Sequence, residues 1–187
     1  VLPIGHPDDT GCPYATDSAF GISEIYISPE KLILDFNLPK DFFSNWKSDI
    51  SSKRVSYKKV KKQKLNILLS FFEIFRPNDK YNAFLESEKS WLDAYCIFRT
   101  LQQHRHGAWT DWPSFETSKA LLSEEEQRTF QFHQMIQFLA ASQLLDLKKY
   151  AQSQKISLIG DVPIFVSYQS MDVWKQPEEF LLNTTTL

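Results

Sequence analysis

The sequence predicts an α/β fold, and three features indicate this class. Residues 156–159 form a β-prone run that is apolar on both faces, as in a parallel strand buried under helices. Three segments with helical periodicity precede that run. The chain opens with a short apolar run, residues 1–4, which is typical of the end of a buried strand. One whole strand and one strand end cannot close a sheet, so the predicted architecture is only part of a larger one.

The elements follow in order along the chain. Gly5 begins a loop that continues through Tyr14. Residues 24–27 alternate in polarity and predict a short strand or an extended connection. A first helix is predicted near residues 58–75, because one stripe of its 3.6-residue period is apolar: Val60, Ile67, Leu68, Phe71, Phe72 and Phe75. Pro77, with the two residues that follow it, is expected to end that helix.

Two further helices are predicted between residues 88 and 152. The helix near residues 88–104 carries one apolar face: Trp91, Leu92, Tyr95, Phe98 and Leu101. Cys96 lies in this pattern and is expected to be a buried free thiol. The helix near residues 123–152 begins with a capping box formed by Ser123 and Glu126.

Composition excludes several classes of protein. The 187 residues are 42% hydrophobic and 24% charged, with a formal net charge of -2. That charge is too close to zero to indicate a nucleic-acid partner or an anionic membrane. No apolar run approaches the roughly 20 residues of a membrane span. Two cysteines are too few for a disulfide scaffold, and reduced thiols fit a cytoplasmic protein.

The most informative segment is residues 159–166, which read I-G-D-V-P-I-F-V. Asp161 follows the predicted strand directly, and functional groups of parallel α/β folds lie beyond the carboxyl ends of strands. The same position is also compatible with a carboxylate that only caps a turn or a following helix. The spacing alone does not decide between these two interpretations.

This segment resembles a signature of the amylomaltase (4-α-glucanotransferase) family, and further motifs agree in order and spacing. The signature continues with S-M-D-V-W at 170–174 and P-E-E-F at 177–180. Upstream, V-L-P-I-G at 1–5 resembles the end of the second barrel strand. Also similar are C-P-Y at 12–14 with S-A-F at 18–20, and W-L-D-A-Y at 91–95 with W-T-D-W-P at 109–113. The resemblance covers nearly the whole chain.

The resemblance implies part of a (β/α)₈ barrel of the α-amylase type, with a helical insertion. Residues 1–45 would hold the end of barrel strand 2 and the active-site loop after it. Residues 46–153 would form the insertion and a barrel helix, and residues 154–187 barrel strand 3 with the segment after it. The implied activity is transfer of α-1,4-glucan segments between malto-oligosaccharides with retention of configuration, without a metal or an organic cofactor.

The resemblance also implies which residues meet the sugar. Retention requires a carboxylate nucleophile and an acid/base, and the family carries both on later strands. We therefore assign no catalytic carboxylate to these 187 residues and expect them to be inactive alone. Tyr14 corresponds to the tyrosine that stacks on the sugar, and Asp161 to an aspartate that holds it. Cys12 and Ala15 stand where Ser and Gln are common, which puts fine specificity in doubt.

Two alternatives to the enzyme remain open from the residues themselves. A run of basic residues between Lys53 and Lys64 predicts either a solvated helix start or a patch that binds a polyanion. The solvated helix is the interpretation we favour, because the lysines flank an apolar stripe without forming one basic face. If that patch binds a polyanion, the chain would be a non-catalytic helical interaction module. A further alternative is a degenerate relative that binds glucan without turnover. For Tyr14 alone, a half-buried packing role is the competing interpretation.

Overall fold

The computed structural model describes residues 1–8, 11–44, 46, 54–163 and 165–182, and these are mainly helical. The α-helices of this part of the chain are Pro29–Asp35 (α1), Tyr57–Ile74 (α2), Asp79–Ser87 (α3), Lys89–His104 (α4), Phe115–Ala120 (α5), Glu124–Ser153 (α6) and Met171–Lys175 (α7). Short 3-10 helices occupy Glu24–Tyr26, Trp109–Asp111 and Pro177–Glu179. None of the described helices is long and apolar enough to cross a membrane.

The three predicted helices are confirmed as α2, α4 and α6. The capping box of α6 is formed as predicted: the Glu126 amide donates to Ser123 Oγ at 3.3 Å, and the Ser123 amide donates to Glu126 Oε2 at 2.8 Å. Helix α2 ends at Ile74, before the predicted stop. The Asn78 side chain then caps α3 by accepting a hydrogen bond from the Tyr81 amide at 2.9 Å.

Two apolar clusters hold the helices together. One joins α2 to α6 and the segment before them, with Leu32, Leu68, Phe71 and Met135 almost fully buried. The other surrounds α4, which packs along α6, and it includes the aromatic side chains Tyr95, Phe98, Trp109 and Trp174. Cys96 is buried here as a free thiol, as predicted. The apolar stripes read from the sequence therefore form the core.

Residues 22–28 are fixed to α6 by two side-chain amides that act like backbone groups. Gln137 accepts from the Ile22 amide and donates to the Ile22 carbonyl, both at 2.9 Å. Gln143 makes the same pair of bonds with Ser28, at 2.7 and 3.1 Å. Each glutamine thus satisfies a donor and an acceptor that a neighbouring strand would otherwise satisfy.

The strand predicted at residues 156–159 is wrong for this structure, as is the strand end at residues 1–4. Both segments are extended but make no ladder, and the described residues contain isolated bridges in place of strands. Ile159 is 79% exposed, and its carbonyl accepts a hydrogen bond from the Val1 ammonium at 2.7 Å. The physical reason is that a strand needs a neighbouring chain to pair its backbone groups. A β-prone sequence cannot supply that neighbour by itself.

Residues 24–27 also differ from the prediction of a strand or an extended connection. Glu24–Tyr26 is a 3-10 helix, and Ile27 follows in an extended conformation with its side chain 1% exposed. The alternation of polarity came from a buried carboxylate at Glu24. A buried charge is rare without a partner, so this position points to a polar cluster in the interior.

Candidate functional site

Tyr14 and Asp161, which lie 147 residues apart in sequence, meet in the structure. The Tyr14 hydroxyl donates a hydrogen bond to Asp161 Oδ2 at 2.7 Å. That bond stabilises the neutral phenol beside a carboxylate, so the pKa of Tyr14 is raised above its ordinary value. The structure thus brings together the two residues that the family resemblance assigns to the sugar.

The second oxygen of Asp161 faces its own backbone. Asp161 Oδ1 accepts a hydrogen bond from the Val162 amide at 2.9 Å. The turn-capping role considered from the sequence is therefore present in addition to the contact with Tyr14. Beside the carboxylate, a Cβ atom added at Gly160 would meet no atom within 4 Å, which means that open space adjoins the pair.

Tyr14 lies near the tip of a loop whose two arms, from His6 and to Asp17, run side by side. The Asp8 amide donates to the Ala15 carbonyl at 2.8 Å, and the Asp17 amide donates to the His6 carbonyl at 2.9 Å. The tip turns through Gly11, whose φ of 71° lies in the left-handed region that favours glycine. We call residues 6–8 and 11–17 the Tyr14 loop.

The Tyr14 loop is bound to the segment that follows Asp161. Thr16 forms a parallel bridge with Val166, and its carbonyl accepts from the Ser167 amide at 3.1 Å. The Asp17 carbonyl accepts from the Met171 amide, at the start of α7, at 2.8 Å. These bonds keep the two halves of the Tyr14–Asp161 pair in register. Ile164, which belongs to the sequence motif, lies outside the described residues.

Four ionisable side chains lie together beneath the Tyr14 loop. His6 Nδ1 lies 2.9 Å from Asp17 Oδ2, and His6 Nε2 lies 3.6 Å from Glu24 Oε1. Arg99 of α4 donates through Nη1 to Asp17 Oδ2 at 2.9 Å. We call this set the buried charge cluster, and its members are His6, Asp17, Glu24 and Arg99.

Electrostatics within this cluster depend on burial and on Arg99. Burial and then the positive charge of Arg99 lower the pKa of His6, although Asp17 and Glu24 act in the opposite direction. Burial is the largest influence and acts to raise the pKa of Glu24, but the charge of Arg99, together with smaller contributions from His6, a backbone hydrogen bond and Lys61, lowers the pKa overall. At neutral pH Glu24 is therefore an ionised carboxylate near the Arg99 guanidinium, and the His6 imidazole is neutral.

Sequence reasoning missed this cluster, since its members come from a loop, a 3-10 helix and a long helix. One signal was available: Arg99 is a charge that follows directly on the predicted apolar face of α4. Its side chain is 10% exposed. An arginine held against an apolar helix face requires carboxylate partners, and these are Asp17 and Glu24.

A groove of about 940 Å³ adjoins Asp161 on its other side. It runs between α6 and the two extended segments, and its lining is largely apolar, with Leu2, Ile4, Leu144, Leu147 and Leu158 among the side chains. A hydroxyl-rich sugar is poorly matched to such a lining. The polar groups at the edge of the groove are therefore the better candidate for sugar binding.

The basic run near the start of α2 is partly structural. Lys64 is buried, donates to the Ile27 carbonyl, and lies 4.9 Å from the centre of the Trp46 ring. Burial lowers its pKa to about 8. Lys53 lies outside the described residues. A lysine that is committed to the interior cannot also bind a polyanion, which weakens that interpretation.

Comparison with known proteins agrees with the motifs. A sequence model of the 4-alpha-glucanotransferase family matches residues 1–186. The chain belongs to this family. Its relatives include the 4-alpha-glucanotransferases of Clostridium butyricum, 29% identical over 197 residues, and of Synechocystis sp., 29% identical over 198 residues. Both matches cover all of this chain. They cover only 40% and 39% of the two relatives, so the chain spans about two fifths of their length.

A solved structure shows that the fold is shared as well. The amylomaltase from Streptococcus agalactiae in complex with acarbose superposes with a TM-score of 0.80 at 24% identity. The match covers 98% of this chain and 39% of that amylomaltase. The resemblance inferred from short motifs is thus confirmed by the family model, and the backbone fold is shared with the solved amylomaltase.

Proposed function

We propose that this chain forms part of a 4-alpha-glucanotransferase, and that Tyr14 and Asp161 hold a glucose ring of an α-1,4-glucan. The observation that carries the proposal is the 2.7 Å hydrogen bond between these two residues, which joins the ends of two family motifs at one exposed position. A turn cap would not need the tyrosine, and a packing tyrosine would not need the carboxylate.

The chemistry of the pair fits a sugar. An aromatic ring offers a negative face to the C–H groups of a pyranose, and a carboxylate accepts hydrogen bonds from its hydroxyls. Asp161 is already engaged through both oxygens, to Tyr14 and to the Val162 amide. It is therefore better suited to orient the sugar than to attack it, in agreement with the role that the resemblance implies.

The proposed reaction is a retaining transfer. One carboxylate forms a glycosyl-enzyme and a second carboxyl group acts as acid and base; we assign neither role to a residue of this chain. The transition state is oxocarbenium-like, with a flattened ring and positive charge. A tyrosine face and a carboxylate both favour that state over the ground state, so they contribute to turnover as well as to binding.

The barrel belongs to the same proposal. We place residues 1–45, with the Tyr14 loop, and residues 154–187, with Asp161, on one side of a (β/α)₈ barrel. Residues 46–153 then form the helical insertion and a barrel helix. In such barrels the loops after neighbouring strands share one mouth, and the bonds between the Tyr14 loop and residues 166–171 support this arrangement.

Binding and transfer are tested separately. Acarbose, the ligand in the solved amylomaltase, is titrated into the chain by calorimetry. We expect Tyr14→Ala to weaken binding by about tenfold, the scale of one aromatic contact. Tyr57→Ala is the matched control, because Tyr57 is 67% exposed at the start of α2. Equal affinity of the two variants would contradict the proposed site.

Transfer is measured with maltotriose as sole substrate for the protein that carries this chain. The proposal predicts glucose together with oligosaccharides longer than maltotriose, because the glycosyl unit passes to another glucan. Glucose without longer products would indicate hydrolysis. Retention of the chain on a heparin column at physiological salt, with no acarbose binding, would favour the polyanion-binding alternative.

A further inference from the structure

We propose that the buried charge cluster is a positioning device for Tyr14. It holds the Tyr14 loop in the position and orientation that let the Tyr14 hydroxyl reach the Asp161 carboxylate. The sugar-binding consequence rests on the proposed function above, whereas the geometric consequence can be measured without any ligand.

The buried charge cluster is attached to the Tyr14 loop at both of its ends. His6 and Asp17 lie at the two ends of the Tyr14 loop, joined by the backbone bond from the Asp17 amide to the His6 carbonyl and by the 2.9 Å side-chain contact. The loop is thereby closed at its base. A displacement of either end moves the whole loop and the tyrosine that it carries.

The buried charge cluster is anchored on helix α4 through Arg99. Arg99 belongs to α4, whose neighbouring side chains Tyr95 and Phe98 are 2% and 1% exposed. Glu24 lies on the 3-10 helix, just after Gly21. A Cβ atom at Gly21 would lie 2.5 Å from the Tyr95 ring, so the chain passes directly against α4 at this point. The loop is therefore fastened to a helix whose side chains at this point are packed in the core.

The kind of interaction within the cluster also supports a positioning role. Buried ion pairs commonly add little stability compared with apolar side chains of the same volume, because desolvation opposes the attraction between the charges. Apolar packing would hold the loop down equally well, but without direction. Hydrogen bonds between charged groups fix distance and angle, and this is what a tyrosine aimed at one carboxylate oxygen requires.

Several polar atoms of the cluster are left without a well-aligned partner among the described residues. They include His6 Nδ1, Glu24 Oε1 and Arg99 Nε. A cluster that served stability alone would be expected to satisfy these atoms. The well-aligned bond of the cluster runs from Arg99 Nη1 to Asp17 Oδ2, so Arg99 is the member that fixes the position of Asp17 at the base of the loop.

The test follows the Tyr14–Asp161 hydrogen bond at neutral pH. Tyrosine is labelled with ¹³C at Cζ, the carbon that carries the hydroxyl, and the Tyr14 signal is assigned with Tyr14→Phe. Asp161→Asn defines the position of the signal when the carboxylate is lost. We expect Arg99→Met to move the signal most of the way toward that position, and Arg99→Lys, which keeps the charge, to move it less.

Controls separate positioning from general stability. Leu68→Ala, in the other apolar cluster, should lower the melting temperature yet leave the Tyr14 signal in place. If Arg99→Met does not fold, Asp17→Asn decides, because it keeps the shape of the side chain and removes its charge. An unchanged Tyr14 signal in a folded Arg99→Met or Asp17→Asn variant overturns the proposal.

The sugar readout is kept apart from the geometric one. Where the wild-type chain binds acarbose, Asp17→Asn should weaken binding by about tenfold, similar to loss of the aromatic contact itself. Where the wild-type chain does not bind acarbose, the proposed sugar site fails. The ¹³C measurement then still decides whether the cluster positions Tyr14.

Discussion

The helical body and the edge formed by residues 1–4 and 156–163, with Phe165, both carry large apolar side chains but hold them in opposite environments. Phe98 of α4 is 1% exposed, whereas Phe165 is 73% exposed. A helix satisfies its own backbone and needs a neighbour only for its apolar stripe. An extended segment needs a neighbour for its backbone as well. The two regions therefore differ in what the remainder of the fold must supply, although both carry large apolar side chains.

The same comparison separates stability from function. The body contains both apolar clusters. The edge carries Asp161. The buried charge cluster, which is anchored on the body through Arg99, positions Tyr14 next to that carboxylate. Functional groups commonly lie on loops that a rigid scaffold positions. Here the helical body is the scaffold, and Tyr14 and Asp161 lie on the loops.

The largest expected effect contrasts one residue type in the two regions. Phe98→Ala should lower the free energy of unfolding by about 3–5 kcal/mol, because it leaves a cavity in a packed cluster. Phe165→Ala should change it by less than about 0.5 kcal/mol, as at other exposed positions. Urea denaturation followed by circular dichroism measures both. Similar losses for the two variants would mean that the edge is part of the cooperative core.

The next effect concerns turnover, which we expect to depend on the edge. In the protein that carries this chain, Asp161→Asn should lower the rate of maltotriose disproportionation by on the order of 100-fold, the scale of losing one preorganised polar group in a site. Tyr14→Ala should lower it by about tenfold. Melting temperatures of both variants should stay close to wild type. Near wild-type turnover for Asp161→Asn would leave Asp161 with its turn-capping role alone.

A smaller effect is a dependence of stability on pH, set by His6. Its folded-state pKa is below the ordinary value of 6.5, so the unfolded chain takes up a proton first as the pH falls. Stability is thus full above about pH 6.5 and declines below it. The groups that face His6 are Asp17, Glu24 and Arg99.

His6→Gln should reduce the slope of melting temperature against pH below 6.5. His133 contributes with the same sign, since burial holds its pKa well below the ordinary value. A double variant with His133→Gln should therefore flatten the curve further. His104→Gln is the control at a partly buried histidine. If His6→Gln leaves the slope unchanged, the His6 imidazole is not neutral near pH 7.

The smallest expected effect is at the exposed apolar surface of the edge. Ile159→Lys should change the free energy of unfolding by no more than about 0.5 kcal/mol, because the side chain is 79% exposed. It should nevertheless reduce aggregation and the binding of a hydrophobic dye, since exposed apolar patches cause both. Gln127→Lys, on the surface of α6, provides a control for added charge. Equal dye binding by both variants would contradict a role for the edge in association.

Much of the fold could be predicted from the sequence because its helices are locally encoded. The capping box at Ser123 and the apolar stripes of α2 and α4 depend on residues three and four positions apart. The strand at residues 156–159 could not be predicted safely, because strand formation depends on a partner elsewhere. The 3-10 helix at Glu24–Tyr26 was missed since its alternation reflects the ion pairs of a buried charge.

The candidate site was predictable in a different way. Tyr14 and Asp161 were chosen through family motifs, and spacing alone left Asp161 as a possible turn cap. Their 2.7 Å contact is a property of the tertiary fold. The buried charge cluster was missed because no local pattern relates His6 to Arg99, and the position of Arg99 beside an apolar helix face does not identify its partners.

The proposed sugar site at Tyr14 and Asp161 is tested most directly by mapping acarbose onto the chain with amide ¹H–¹⁵N NMR. We predict that the signals that shift during the titration belong to the Tyr14 loop and to Gly160, Asp161 and Val162. Signals from α2, with its basic start, should stay in place. Shifts confined to α2, or no shifts at all at millimolar acarbose, would contradict the assignment of the sugar site to Tyr14 and Asp161.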